Sequence, residues 1–263
     1  AKAKQKRQNA GRGNRQVDAK NTTTGKVAPP RDPEYAKYAI FEASAARPQE
    51  AIPRETRLPL EFSQGDVVAY IGNTQLDRAR HFGHLESAIH AAHPDSNLVV
   101  RNLSWSGDTV SQQPRPMNFA DLEQHLTHIK ADVIFASFGF NESFAGIEGL
   151  EAFQTSLTSY LTGLRSRAFN GDRAAKIVLI SPIANENVKR VAAADLNNAR
   201  IEAYVSVLRE TAKQLGIGFV DVFSTTQQAM ADPSTDLTMN GSHLNDEGYQ
   251  LFAREVFDQL FHK

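Results

Sequence analysis

The feature that most constrains the fold is an alternation that begins at Asp66 and runs to the end of the chain. Short runs rich in Val, Ile and Leu take turns with longer stretches whose apolar residues recur at helical spacing. The short runs are Asp66–Ile71, Leu98–Leu103, Asp132–Phe138, Lys176–Ser181 and Gly218–Val222. Helices are predicted over Gln75–Ala92, near Ala120–Ile129, over Leu150–Arg167, near Leu196–Leu215 and over Asp246–Phe261. Strands with little polar alternation are buried on both faces, and helical crossovers make neighbouring strands parallel. The expected fold is therefore α/β, a parallel sheet covered by helices on both sides. No internal repeat is visible, which argues against a solenoid or propeller.

Composition narrows the chemistry. The chain of 263 residues has no cysteine. That removes disulfide frameworks, Cys-ligated zinc, iron–sulfur clusters and thiol nucleophiles, and leaves hydroxyl, imidazole, carboxylate and amide groups. No apolar run approaches the roughly 18 residues of a membrane-spanning helix. The net charge of −1 is unevenly spread: residues 1–31 hold nine Lys or Arg against Asp18 alone, so this arm carries +8 and the remainder −9. The arm lacks aliphatic periodicity, reads as a flexible tail, and is a candidate for contact with polyanions. Residues 32–63 read as a linker or docking segment, with Tyr35, Tyr38, Ile40 and Phe41 able to dock and Pro48, Pro53 and Pro59 breaking any long element. Residues 64–263 form the predicted folded domain.

In open α/β sheets ligands sit beyond the carboxyl ends of the strands, so the residues that follow each strand are the ones to inspect. They are Gly72-Asn73-Thr74, Ser104-Trp105-Ser106-Gly107-Asp108 and Gly139-Phe140-Asn141-Glu142, joined by Asn240-Gly241-Ser242-His243 before the last helix. The glycine-rich dinucleotide turn, the P-loop and the G-x-S-x-G nucleophile elbow are all missing from the sequence. What remains is a hydroxyl, a glycine, an amide and an imidazole in four loops at one sheet edge. Thr74 can supply a nucleophilic oxygen and His243 can take its proton. The Thr74 and Gly107 backbone amides and the Asn141 side chain can hold the charge of a tetrahedral intermediate. The reaction class is acyl transfer to water.

These four blocks, in this order, resemble the SGNH (GDSL-type) hydrolases, whose blocks supply Ser, Gly, Asn and His. The resemblance covers roughly Asp66–Lys263, through VVAYIGNTQLD, NLSWSGD, FGFNE and NGSHLNDEGY. It implies a three-layer, flavodoxin-like fold with a five-stranded parallel sheet, and an esterase needing neither metal nor cofactor. More narrowly, IGNTQLDR, QPRPMNF and ADVIFASFGFNESFAG look like a subfamily found in large planctomycete proteins, where further modules follow the SGNH domain. An exported, periplasmic or extracellular protein is the matching expectation. Two positions depart from the family. Thr74 stands where Ser is usual, and its methyl group crowds the attack trajectory. Asn240 stands where Asp is usual; it can accept a hydrogen bond from His243 Nδ1–H but cannot stabilise an imidazolium by charge.

Each assignment has a plainer counterpart. Thr74 is a nucleophile or merely the N-cap of the following helix. Gly107 is an amide donor or a turn glycine, and Asn141 an oxyanion donor or a loop brace. Asn73, Trp105, Arg115 and Glu142 lie in the same loops as candidate substrate contacts: Trp105 as a sugar-stacking surface or packing, Arg115 as a binder of carboxylate, sulfate or sugar hydroxyl or an ordinary loop residue. Asp246 is expected to cap the last helix. The histidine pairs His81/His84, His90/His93 and His125/His128 have no evident acidic third ligand, so no metal site is assigned. The expected function is a divergent esterase acting on a small-molecule or carbohydrate ester. The alternative is an inactive SGNH-like module that retains the cleft for binding within a larger secreted protein.

Overall fold

The computed structural model describes residues 40–188, 194–232 and 234–262. The basic arm, Tyr35 and Tyr38 lie outside the described residues. In chain order the strands are β1 (Gln49–Glu50), β2 (Val67–Gly72), β3 (Val99–Asn102), β4 (Val133–Ser137), β5 (Arg167–Ala168), β6 (Lys176–Ile180) and β7 (Gly218–Val220). The helices are α1 (Thr74–Ala79), α2 (His84–Ala92), α3 (Leu122–Ile129), α4 (Leu150–Arg165), α5 (Ala194–Leu215), α6 (Phe223–Met230) and α7 (Asp246–Phe261).

Five strands form one parallel sheet in the order β3-β2-β4-β6-β7. This is the doubly wound arrangement in which the chain reverses direction beside the first sheet strand. The β2–β4 register pairs Val68 with Val133 and Gly72 with Ser137. Successive strand residues point to opposite faces. Val68, Tyr70, Val133, Phe135, Val178 and Ile180 accordingly pack with Leu76, Ile89, Tyr249, Phe252 and Val256 of α1, α2 and α7. Ala69, Ile71, Ile134, Ala136, Ile177 and Leu179 pack on the other side with Leu126, Leu157, Leu161, Tyr204 and Leu208 of α3, α4 and α5. Three layers follow directly from the unbroken apolar strands.

The structure corrects the sequence reading in three places. The single helix expected over Gln75–Ala92 is two, because Gly83 takes a left-handed conformation (φ 68°) as the N-cap of α2. The helix α6, whose periodicity is interrupted by the wholly polar run Ser224–Gln228, and the two-residue antiparallel pair β1–β5 carry no helical or strand pattern in the sequence. Asp246 is not the cap of α7: Asn245 accepts from Gly248 N–H, and Asp246 instead contacts His84 Nε2 at 2.8 Å. The described part of the segment read as a linker lies against the domain. Thr56 Oγ1 accepts from Ile177 N–H, Leu60 N–H donates to Leu260, and Leu58, Leu60 and Phe62 join the apolar core.

Candidate active site

The carboxyl ends of β2, β4 and β6 and the turn before α7 converge on a cavity of about 120 Å³, and Gly107, in the loop after β3, is not among the residues that line it. Asn73, Thr74, Asn141 and His243 line it, together with Arg78 and Tyr249. Four residues singled out in the sequence, up to 170 positions apart, are thus brought into one small space.

Backbone geometry begins at Gly72. Its φ is +117°, and a Cβ there would lie 2.1 Å from the Ser137 carbonyl oxygen, so only glycine lets β2 leave the sheet at this point. Asn73 then caps α1: its Oδ1 accepts from Gln75 N–H at 3.2 Å, while its Nδ2, in a residue only 3% exposed, has no partner among the described residues. Thr74 is the first helical residue, so the capping role considered for it belongs to its neighbour. Gln75 ties the turn to the sheet, donating to the Ser181 carbonyl at 3.0 Å and accepting from Ile183 N–H at 2.9 Å. Tyr249, from the turn of α7, donates its hydroxyl to the Gln75 carbonyl at 2.9 Å. Gln75 and Tyr249 carry no catalytic signature in sequence; their role is visible only through these distant partners.

His243 is oriented by Asn240. The Oδ1 of Asn240 faces the backbone N–H groups of His243 at 3.1 Å and Ser242 at 3.3 Å, and His243 Nδ1 at 3.0 Å. Backbone N–H groups can only donate, so the atom facing them is the oxygen and not the amide nitrogen. His243 Nδ1 must therefore carry the proton, which leaves the Nε2 lone pair free. Burial and the nearby Arg78 guanidinium hold the His243 imidazolium below its ordinary pKa, so the ring is neutral at physiological pH. Beneath this turn lies Glu186, 5% exposed, whose carboxylate accepts from Leu237 N–H at 3.0 Å, Thr238 N–H at 2.9 Å and Thr238 Oγ1 at 2.5 Å. Thr238 Oγ1 in turn accepts from Gly241 N–H at 2.8 Å. Glu186 was not recognised in sequence, where it is one acid in an unremarked loop.

The facing loops are built differently. Gly107 is exposed with φ +88° and open space around it, so conformation and not crowding requires glycine. Asn141 Nδ2 donates to the Asp108 carbonyl at 3.3 Å, which uses one of its two protons and holds the side chain beside the Gly107 turn. Arg115 meets Asp108 through paired contacts of 2.8 and 2.6 Å, with side-chain exposures of 11% and 3%. Its guanidinium is thereby committed to a loop brace. Glu142 is also a brace, accepting from Val110 N–H at 2.9 Å and Gly139 N–H at 2.8 Å, and burial raises its pKa above the usual carboxylate range. Trp105 lines a second cavity on the other side of α1. Among the described residues no group of three or more His, Asp or Glu is arranged to hold a metal ion.

A doubly wound sheet with a hydroxyl, an imidazole and an amide side chain gathered at its carboxyl edge is an architecture of acyl-transferring hydrolases. The chain belongs to the GDSL-like lipase/acylhydrolase family, whose sequence model matches residues 67–251. Solved structures of similar fold include an acetylxylan esterase, Axe2, from Geobacillus stearothermophilus, with a TM-score of 0.59 at 18% identity over 78% of this chain and 98% of that one. They also include LAE5, an alpha/beta hydrolase enzyme from the metagenome of Lake Arreo, Spain, with a TM-score of 0.58 at 17% identity over 77% of this chain and 99% of that one. A gut microbial diltiazem-metabolizing enzyme, BT4096, has a TM-score of 0.59 at 19% identity over 76% of this chain and 48% of its own. No curated protein sequence matches at a significant level.

Proposed function

We propose that the protein hydrolyses esters of O-acylated carbohydrates, with Thr74 as nucleophile and His243 as general base. The single observation that carries this reading is the forced orientation of Asn240, which gives His243 the tautomer a base requires, in a cavity that Thr74 also lines. In serine proteases an Asn in the corresponding position costs about 10⁴ in kcat through the wrong tautomer. Here the two backbone donors on Asn240 Oδ1 oppose that outcome.

In the proposed reaction Nε2 takes the Thr74 proton as Oγ1 attacks the ester carbonyl carbon. The developing oxyanion accepts hydrogen bonds from the Thr74 and Gly107 N–H groups and the second Nδ2 proton of Asn141. His243 then returns its proton to the departing alcohol, and water repeats the sequence to free the acid and Thr74. The imidazolium that forms in between has a neutral Asn240 behind it and Arg78 nearby, so Asn240→Asp is expected to raise kcat. The carbohydrate assignment draws support from the acetylxylan esterase of similar fold.

The test is hydrolysis of p-nitrophenyl acetate by the full chain, Thr74→Ala and His243→Ala. Both substitutions are expected to lower kcat/KM by at least about 10³. Activity that survives Thr74→Ala removes Thr74 as nucleophile, and no turnover by a folded wild type favours a binding module. Export within a larger protein belongs to the same proposal, as does polyanion contact through residues 1–31. A heparin affinity that does not fall with salt overturns the latter.

A further inference from the structure

The second cavity, of about 340 Å³, is nearly three times the volume of the first and lies across α1 from it. Its walls include Trp105, Phe119, Ser104, His125, Asp77 and Arg80. Two of these join it to the proposed chemistry. Asp77 follows Thr74 by one turn of α1, so that helix serves both spaces, and Trp105 stands two residues before Gly107, the proposed amide donor.

The aromatic wall is held rigid and yet is open. Trp105 and Phe119 meet edge to face at 5.9 Å, and Phe119 packs on the His125 ring at 5.0 Å. The Arg115 guanidinium lies 4.5 Å from the indole centroid on one face, fixed there by Asp108. Trp105 nevertheless remains 43% exposed and Phe119 37%. Polar groups without partners surround this wall: Ser104 Oγ, in a residue 4% exposed, and His125 Nε2 have no hydrogen bond among the described residues. The charges cancel locally, since Asp77 pairs with Arg80 and Arg115 with Asp108.

We infer that this cavity is a subsite for a neutral pyranose ring, which stacks on Trp105 and Phe119 and hydrogen-bonds to Ser104 and His125. An aromatic face suits the C–H face of a sugar, and the unpartnered Oγ and Nε2 suit its hydroxyls. An acyl chain in the same place offers neither polar atom a partner, whereas sugar hydroxyls can satisfy both. A uronate brings a charge that finds no free partner in a balanced site. The inference rests on the esterase reading only for its purpose, which is to hold the carbohydrate part of the ester while the acyl group reaches Thr74.

Trp105 is the one tryptophan of the chain, so all tryptophan emission reports on this cavity. The experiment is a fluorescence titration of the full chain, and of Thr74→Ala in parallel, with unacylated xylotetraose and cellotetraose. A saturable change in emission is expected in both proteins, and Phe119→Ala and Ser104→Ala should each weaken binding, the former by about tenfold. No change with either saccharide up to about 50 mM overturns the subsite. A change with octanoate in place of the saccharides overturns it in favour of an acyl pocket. Because the probes carry no ester, the titration is independent of turnover. Saturation without hydrolysis of p-nitrophenyl acetate leaves the subsite standing and removes the enzyme reading; hydrolysis without saturation does the reverse.

Discussion

The two sides of the proposed site are held in place by different chemistry. The Thr74 and His243 side is oriented by neutral amides: Asn73 caps the turn, Gln75 ties it to the sheet, and Asn240 orients the imidazole. Glu186, the one buried carboxylate there among the described residues, lies beneath the turn and touches neither Thr74 nor His243. The opposite loops, with Gly107 and Asn141, are held by charge, through the Asp108–Arg115 pair and the Glu142 carboxylate on two backbone amides. Buried charge gives a stiff brace that fails badly when one partner is lost. Neutral amides restrain a side chain without adding charge beside His243, which in the proposed reaction stays neutral until it accepts a proton. Substitutions on the two sides should therefore separate into losses of activity and losses of stability.

The largest effect is expected from His243→Ala, which should remove about 10⁴ or more of kcat and leave the urea midpoint almost unchanged. Equal losses of activity and stability in that variant break the comparison. Next comes Arg115→Ala, which strands the buried Asp108 carboxylate and should cost about 3–5 kcal/mol in urea unfolding. Adding Asp108→Ala should recover a large part of that loss, and no recovery means that the ion pair is not what holds the loop. Glu142→Gln keeps the shape but replaces one acceptor oxygen with a donor facing a backbone N–H. A loss of about 1–3 kcal/mol is expected; a neutral result assigns the brace to packing alone.

The smallest effect sharpens the other side. Burial and Arg78 hold the His243 pKa below its ordinary value, so the proposed base stays unprotonated further into acid than an ordinary histidine, and the esterase activity is expected to persist with it. Activity is expected to fall as pH drops through that lowered pKa. Arg78→Ala removes the cationic contribution, raises the pKa, and should move the acid limb of kcat/KM to higher pH. An unmoved limb shows that desolvation alone sets the His243 titration.

The sheet was legible because its signal is local. Runs such as Val133–Ala136 are apolar at every position, and short runs of that kind bounded by turn residues have few other uses. That Thr74, Asn141 and His243 would gather at one edge was legible for a related reason, since each follows a strand or precedes a helix at a fixed offset. The break at Gly83 and the helix α6 escaped because helical periodicity continues across the one, and the wholly polar run Ser224–Gln228 interrupts it in the other. Arg115 and Glu142 show the limit most clearly. Both lie in the loops at the sheet edge, yet one is bound to Asp108 and the other to two backbone amides.

By itself, then, the sequence determined a parallel α/β domain and the chemical inventory at the carboxyl edge of its strands, because both depend on residues near one another in the chain. Tertiary structure alone decided which of those residues are available for chemistry. Whether Thr74 is a cap, which nitrogen of His243 holds the proton, and whether Arg115 is free are all settled by hydrogen-bond partners. Those partners can lie next door, as Asn73 does, or 174 residues away, as Tyr249 does from Gln75. The physical reason is that a buried polar group must find a partner wherever the fold supplies one, and residue type alone does not say which.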